Sequence, residues 1–219
     1  MTGRERPRVV VIDDSTVIRG GFGTVHPELE VCATFADVEG FETTPVECDV
    51  VVLDLLLRGP GSTTTIKQGR AAIRSLRDLG LPVCLYTDER RPLVLALCLR
   101  AGANGVVHKS DPPEVAVSAV RDIADGRVAI TQSLVGLTEL LDRRDARFDL
   151  SPRQRQVISA RARGQHWFDI AATLFISEDT AREHYQAACQ KLRAYLQHTS
   201  PGDIERAMGL APGDVLHQE

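Results

Sequence analysis

Four short apolar runs fix most of what this chain can fold into. They are Val9-Val10-Val11-Ile12, Val50-Val51-Val52-Leu53, Val83-Cys84-Leu85-Tyr86 and Gly105-Val106-Val107-His108. Short apolar runs bounded by polar or turn residues read as strands buried on both faces, hence as a parallel sheet. Each run leads into a reactive group: Asp13-Asp14, Asp54, Thr87 and Lys109. In an open α/β sheet, ligands sit beyond the carboxyl ends of the strands. Three carboxylates, one hydroxyl and one ammonium are therefore expected to meet at one edge.

Strands are expected near 8–12, 30–34, 50–54, 82–87 and 105–108, with helices near 15–25, 69–79, 91–101 and 112–125. Alternating βα units imply a sheet covered on both faces. A helix around 36–46 is opposed by Gly40, Thr43, Thr44 and Pro45. After the fifth strand, Val115, Val117, Ala119, Val120 and Ile123 are expected to form one helix face. A further helix is expected over 131–141, and the charged run Asp142–Arg147 reads as a linker.

The tail reads as all-helical. Ser151-Pro152 sets a cap residue before a proline at the first helical position. Gly164 ends that helix, a short one follows near 167–174, and Ser177 caps the next. There Ala181, Tyr185, Ala188 and Leu192 share a face at three- and four-residue steps. Ser200-Pro201 opens a last short helix, and the residues from Gly209 on read as frayed.

Charge separates the two parts. Residues 150–195 carry seven basic against four acidic side chains, a net +3 that leaves −7 for the rest. An acidic part joined to a basic one suggests a regulatory unit attached to a nucleic-acid binder. The five cysteines form no C-x-x-C pair, which fits a reducing compartment. No stretch approaches the roughly 18 apolar residues of a membrane span, and the N-terminal apolar run stops too early for a signal peptide. A cytoplasmic protein without membrane partners is expected.

Asp13, Asp14 and Asp54 at adjacent strand ends would repel one another unless a cation sits among them. Hard oxygen ligands on a partly hydrated site suit magnesium. A carboxylate can act as a nucleophile toward phosphorus and form an acyl phosphate. Lys109 and the metal would neutralise phosphoryl oxygens, and Thr87 would donate to one of them.

Residues 7–125 resemble a response-regulator receiver domain of the CheY-like, flavodoxin-like type. The matching stretches are Val-Val-Val-Ile-Asp13-Asp14, Val-Val-Leu-Asp54-Leu, Leu-Tyr-Thr87 and Arg-Ala-Gly-Ala-Asn-Gly-Val-Val-His-Lys109. The resemblance implies Asp54 as phosphoacceptor, Asp13, Asp14 and Asp54 around Mg2+, Thr87 as switch hydroxyl and Lys109 as phosphate partner. The chain departs from the family at three places. Asp88 follows the switch Thr where a small residue is usual. Arg58 replaces a proline, and residues 59–68 read as an insertion. Val106 stands where the family has its switch aromatic.

Residues 150–195 resemble the LuxR-type helix-turn-helix of NarL-like regulators. The residues that carry this are Leu150-Ser-Pro-Arg-Gln-Arg-Gln-Val-Ile158, Ala162-Arg-Gly164, Asp169-Ile-Ala171, Phe175-Ile-Ser177, Thr180-Ala-Arg182-Glu-His184-Tyr and Lys191-Leu. In such motifs the second helix enters the major groove. By position Thr180, Arg182, Glu183, His184 and Gln186 would face DNA, with Lys191 and Arg193 near its backbone. Trp167-Phe168-Asp169 stands where the family often has a polar-Lys-Glu triplet, and Gln154 and Gln156 replace two glutamates.

The resulting expectation is an α/β protein, with a doubly wound five-stranded parallel receiver over 1–126. A helix and linker follow over 127–149, an all-α helix-turn-helix over 150–210, and a tail over 211–219. It would act as a homodimer on promoter DNA, switched through Asp54 by a sensor histidine kinase. Three other readings stay open. One is a phosphorylation-independent regulator driven by a ligand or protein partner. Another treats the tail as a dimerisation element. The third is a phosphatase of the haloacid-dehalogenase type, whose Asp-x-Asp is absent here because Leu55-Leu56 follows Asp54.

Overall fold

The computed structural model describes residues 6–57, 68–145 and 147–210. Arg58 and the expected insertion, apart from Gln68, lie outside the described residues, as does the tail from 211 on. The chain divides into two compact units. One comprises residues up to Glu89 together with Ala101–Ala129; the other comprises Arg90–Arg100 together with the residues from Ile130 on.

The first unit holds a five-stranded sheet of β1 (Arg8–Ile12), β2 (Glu30–Phe35), β3 (Val50–Leu53), β4 (Val83–Thr87) and β5 (Gly105–His108). The order is β2-β1-β3-β4-β5, and every pairing is parallel. β3 and β5 are buried at every position, as apolar runs without alternation require. Between and after the strands run α1 (Thr16–Val25), α2 (Val38–Thr43), α3 (Gly69–Asp78), α4 (Pro92–Ala101) and α5 (Pro113–Ala124). All but α4 belong to this unit. Val9, Val11, Val50, Val52, Cys84 and Val107 pack with Phe22 of α1 and with Ala116, Val117, Val120 and Ile123 of α5. Val115, expected on that face, is instead 42% exposed, and Ala116 takes the buried position. The opposed helix α2 does form, but only over six residues. Asp37 caps it by accepting from the Gly40 N–H at 2.7 Å, and Val38 and Phe41 anchor it in the core.

β5 has a further neighbour. Gly105 bridges Ala129 in parallel, and the Val106 N–H donates to the Ala129 carbonyl at 2.9 Å. A Cβ on Gly105 would lie 2.7 Å from that carbonyl oxygen and 2.8 Å from Ile123 Cδ1. Glycine is required there by close approach, not by φ.

The second unit is helical: α4, α6 (Gln132–Arg144), α7 (Pro152–Ala162), α8 (Trp167–Leu174), α9 (Glu178–His198) and α10 (Pro201–Ala207). α4 is apolar on most sides, with Leu93, Leu95, Ala96, Leu97, Cys98 and Leu99 buried. Arg100 Nε at its end donates to the Thr199 carbonyl at 2.9 Å. α6 runs to Arg144, beyond its expected end. The charged run after 141 is tied into the helical unit rather than hanging free. Asp142 accepts from Arg155 Nε at 2.5 Å and from the Leu150 N–H at 3.1 Å. Asp145 accepts from Arg147 and, at 2.6 Å, from the Tyr195 hydroxyl. These bonds, that from Arg147 first, hold the Asp145 carboxyl well below the usual carboxylate range.

Two measurements test this packing. Gly105→Ala is expected to destabilise the fold by about 1–3 kcal/mol, as overpacking does, seen as a lower urea midpoint with an unchanged m-value. A carboxylate whose pKa is depressed on folding contributes stability above its unfolded value, about 3.9, that is lost as pH falls through the folded value. Asp145→Asn should thus lower the melting temperature at neutral pH, and the gap from the wild type should close progressively in acid below about pH 4.

Candidate functional site

The ends of β1, β3, β4 and β5 bring the five sequence-predicted residues of the acidic pocket to one edge of the sheet. The register places Ile12 beside Leu53 and Thr87 beside His108, so the residues that follow or close these strands converge. Backbone bonds carry the convergence past the strands. The Asp54 N–H donates to the Ile12 carbonyl at 2.8 Å, and the Lys109 N–H to the Thr87 carbonyl at 3.0 Å.

Asp13, Asp14 and Asp54 each offer a carboxylate oxygen within 4.8 Å of the others. Asp13 and Asp54 are buried, and Asp14 is half-buried. Lys109 Nζ bridges two of the three carboxylates, at 2.8 Å from Asp13 Oδ2 and 3.0 Å from Asp54 Oδ2. The second Asp13 oxygen accepts from the Ser15 N–H at 2.8 Å, and Ser15 in turn caps α1. Burial pushes the Asp54 carboxyl above its usual range, while the bond and charge of Lys109 act in the opposite direction. For Lys109 burial disfavours the ammonium, but its two carboxylate partners outweigh that and hold its pKa up. Thr87 is buried, and its Oγ1 accepts the Glu89 N–H at 3.1 Å. Asp88 is exposed, so its charge is solvated. Val106 is buried within β5.

The donor set is chemically suited to a small hard cation. The three carboxylate oxygens lie within 4.8 Å of one another, a hard-oxygen donor set that could hold a hydrated divalent cation.

In the second unit, α7, α8 and α9 form a three-helix core around Val157, Ala160, Ile170 and Ala181. Ser151 and Gln154 complete a capping box. The Ser151 hydroxyl accepts the Gln154 N–H at 3.3 Å, and the Gln154 side chain accepts the Ser151 N–H at 2.9 Å. Gln154 therefore makes the reciprocal bond that a glutamate would make. The pattern Ser-x-x-Gln is the sequence signal for it. The expected face of α9 is in place, with Ala181, Ala188 and Leu192 buried and Tyr185 half-buried.

Of the residues expected at DNA, Arg182, Glu183 and Lys191 are exposed, and Thr180, His184, Gln186 and Arg193 are half-buried. Thr180 shares a hydrogen bond with the Ser177 hydroxyl at 2.9 Å. Lys191 Nζ donates to the Asp149 carbonyl at 2.9 Å. Arg182 donates to Glu178 at 3.3 Å and lies over the Trp167 ring, 4.8 Å from its centroid. The two aromatics of the unusual triplet part company: Trp167 is half-buried and Phe168 is 71% exposed. Phe175, at the junction of α8 and α9, is left-handed with φ 54° and is 94% exposed.

Comparison with known proteins agrees with this layout. Residues 149–196 match the GerE family, described as bacterial regulatory proteins of the LuxR family. Over 198 residues the chain is 32% identical to the probable transcriptional regulatory protein NarL of Mycobacterium tuberculosis, covering 86% of this chain and 88% of that one. It is 31% identical over 201 residues to the oxygen regulatory protein NreC of Staphylococcus carnosus, covering 84% and 90%. The fold is similar to that of the RcsB response regulator of Salmonella typhimurium, with a TM-score of 0.54 at 20% identity, covering 89% and 97%.

The ammonium bridge can be tested by titration. Carboxyl carbon NMR should show Asp54 titrating above the ordinary aspartate range, and Lys109→Met should move its midpoint further up. An unmoved midpoint would contradict the bridge.

Proposed function

Because this chain belongs to the response-regulator family of NarL and NreC, with a LuxR-type DNA-binding domain, we propose the following mechanism for it. It is a DNA-binding transcriptional regulator of a two-component system that accepts a phosphoryl group on Asp54. The observation that carries this reading is the single ammonium of Lys109 set between the Asp13 and Asp54 carboxylates, with the Thr87 hydroxyl on the neighbouring strand.

An Asp54 oxygen attacks the phosphorus of a phosphohistidine on a sensor kinase. The O–P bond forms, the P–N bond breaks, and the departing imidazole takes up a proton. Lys109 exchanges a carboxylate partner for a phosphoryl oxygen. Thr87 accepts the Glu89 N–H through a lone pair, so its own hydrogen can be donated to another phosphoryl oxygen. Asp13, Asp14 and Asp54 would hold magnesium, which supplies positive charge against the phosphoryl oxygens. In the helical unit, α9 is the helix that enters the major groove, with Thr180, Glu183, His184 and Gln186 toward the bases, Arg182 among the residues that meet DNA, and Lys191 and Arg193 toward the backbone. A homodimer doubles these few contacts on a two-fold promoter site. No described helix is long and apolar enough to cross a membrane.

The test uses the full chain with magnesium and a small phosphodonor. Wild type should acquire one hydroxylamine-labile phosphate, and Asp54→Asn none. Gel shifts on genomic fragments should tighten with the donor by about 5- to 150-fold, the usual range of such coupling, and only for wild type. Equal retardation with and without donor, and no label on Asp54, would favour the phosphorylation-independent regulator instead.

A further inference from the structure

The chain has one tryptophan. Trp167 opens α8, and two guanidinium groups lie over its indole: Arg161 from the last turn of α7 at 4.6 Å and Arg182 from α9 at 4.8 Å. Tyr185, one α9 turn from Arg182, meets the same indole edge-on at 5.3 Å. Three helices thus share one aromatic ring. Two like charges gathered on it repel, and the negative ring face and the Glu178 carboxylate offset that repulsion. Arg161 donates to the Gln165 carbonyl at 2.6 Å, and its Nε is buried without a hydrogen-bond partner among the described residues. Arg182 pairs with Glu178 of its own helix at 3.3 Å.

Stacking on an aromatic face leaves the donors of a guanidinium in the plane and available. It also removes rotamer freedom that would otherwise be lost on binding. The helix that α8 represents in a helix-turn-helix crosses the DNA backbone. An arginine of α9 held against the first residue of α8 is therefore drawn toward that backbone, away from the base edges where sequence alone would place it.

We propose that Trp167 is a positioning residue for DNA binding, whose indole presets the Arg182 guanidinium to grip a backbone phosphate. This rests on the DNA-binding reading above. In place of the polar residue usual at this position, the ring gives the recognition helix a pre-oriented cation.

The test uses the full-length protein on a genomic fragment that wild type retards, with Trp167→Leu, Trp167→Tyr, Arg182→Gln and the Leu/Gln double variant. Trp167→Leu should weaken binding about five-fold per protomer, to a similar degree on different sequences. The slope of log K against log salt should become shallower by about 0.9 for each phosphate that the protein ceases to neutralise. Trp167→Tyr should restore both. The double variant should lose no more than Arg182→Gln alone. Wild-type affinity and salt slope in Trp167→Leu, or additive losses in the double variant, would overturn the proposal. So would a loss confined to one sequence, because it would mean base readout. If Trp167→Leu does not fold, judged by its helical circular dichroism, the emission of Trp167 in wild type and Arg182→Gln serves instead. Identical spectra exclude the stack. If wild type retards no fragment in any state, the DNA-binding reading fails and this role with it; binding that is indifferent to Trp167 removes this role alone.

Discussion

The Lys109 ammonium between Asp13 and Asp54 is the interaction on which the signalling end of this molecule turns. Three carboxylates meet where β1 and β3 end, and a cluster of that sign is costly to bury without a countercharge. Lys109 reaches it because β5 lies at the far side of β4, whose last residue, Thr87, pairs with His108. The strand order is thus the physical cause of the site. Residues separated in sequence by 96 and 55 positions become hydrogen-bonded neighbours. The raised pKa of Asp54 expresses the same tension: burial works against its charge and Lys109 supports it.

The helical unit solves a different problem. α9 keeps one face exposed, and it is steadied from behind and at its start. Small residues, Ala181 and Ala188, let α9 approach its neighbours closely, and Ser177 caps its start by accepting from the Thr180 N–H at 3.0 Å. Around it, ion pairs and hydrogen bonds join α6 to α7. Gln132 donates to the carbonyls of Arg161 and Ala162, and Ser159 to Glu139 at 2.8 Å. α6 is therefore packed on α7, which in turn packs on α9.

Much of this is legible in the chain itself. The strands follow from uninterrupted apolar runs, and the acidic pocket from the residues that terminate them. Expectation and structure part where local propensity competes with packing. Val115 matches the apolar pattern of α5, yet the helix is rotated so that Ala116 faces inward. α2 forms against its glycine and β-branched residues because Asp37, Val38 and Phe41 supply a cap and two anchors. The stacking of Arg161 and Arg182 on Trp167 depends on three helices meeting, and no periodicity within one segment encodes it. The charged run 142–147 resembles a tether in sequence because its partners, Arg155 and Tyr195, lie many residues downstream.

The left-handed phenylalanine at the α8–α9 junction has its own consequence. A left-handed backbone costs a bulky residue about 1–2 kcal/mol that glycine does not bear, and a ring standing in solvent recovers nothing from the interior. The corner joining these two helices is thus a reserve of unrealised stability. Its tightness is imposed by the elements on either side, and sequence drift toward glycine or asparagine at this one position would relax that strain.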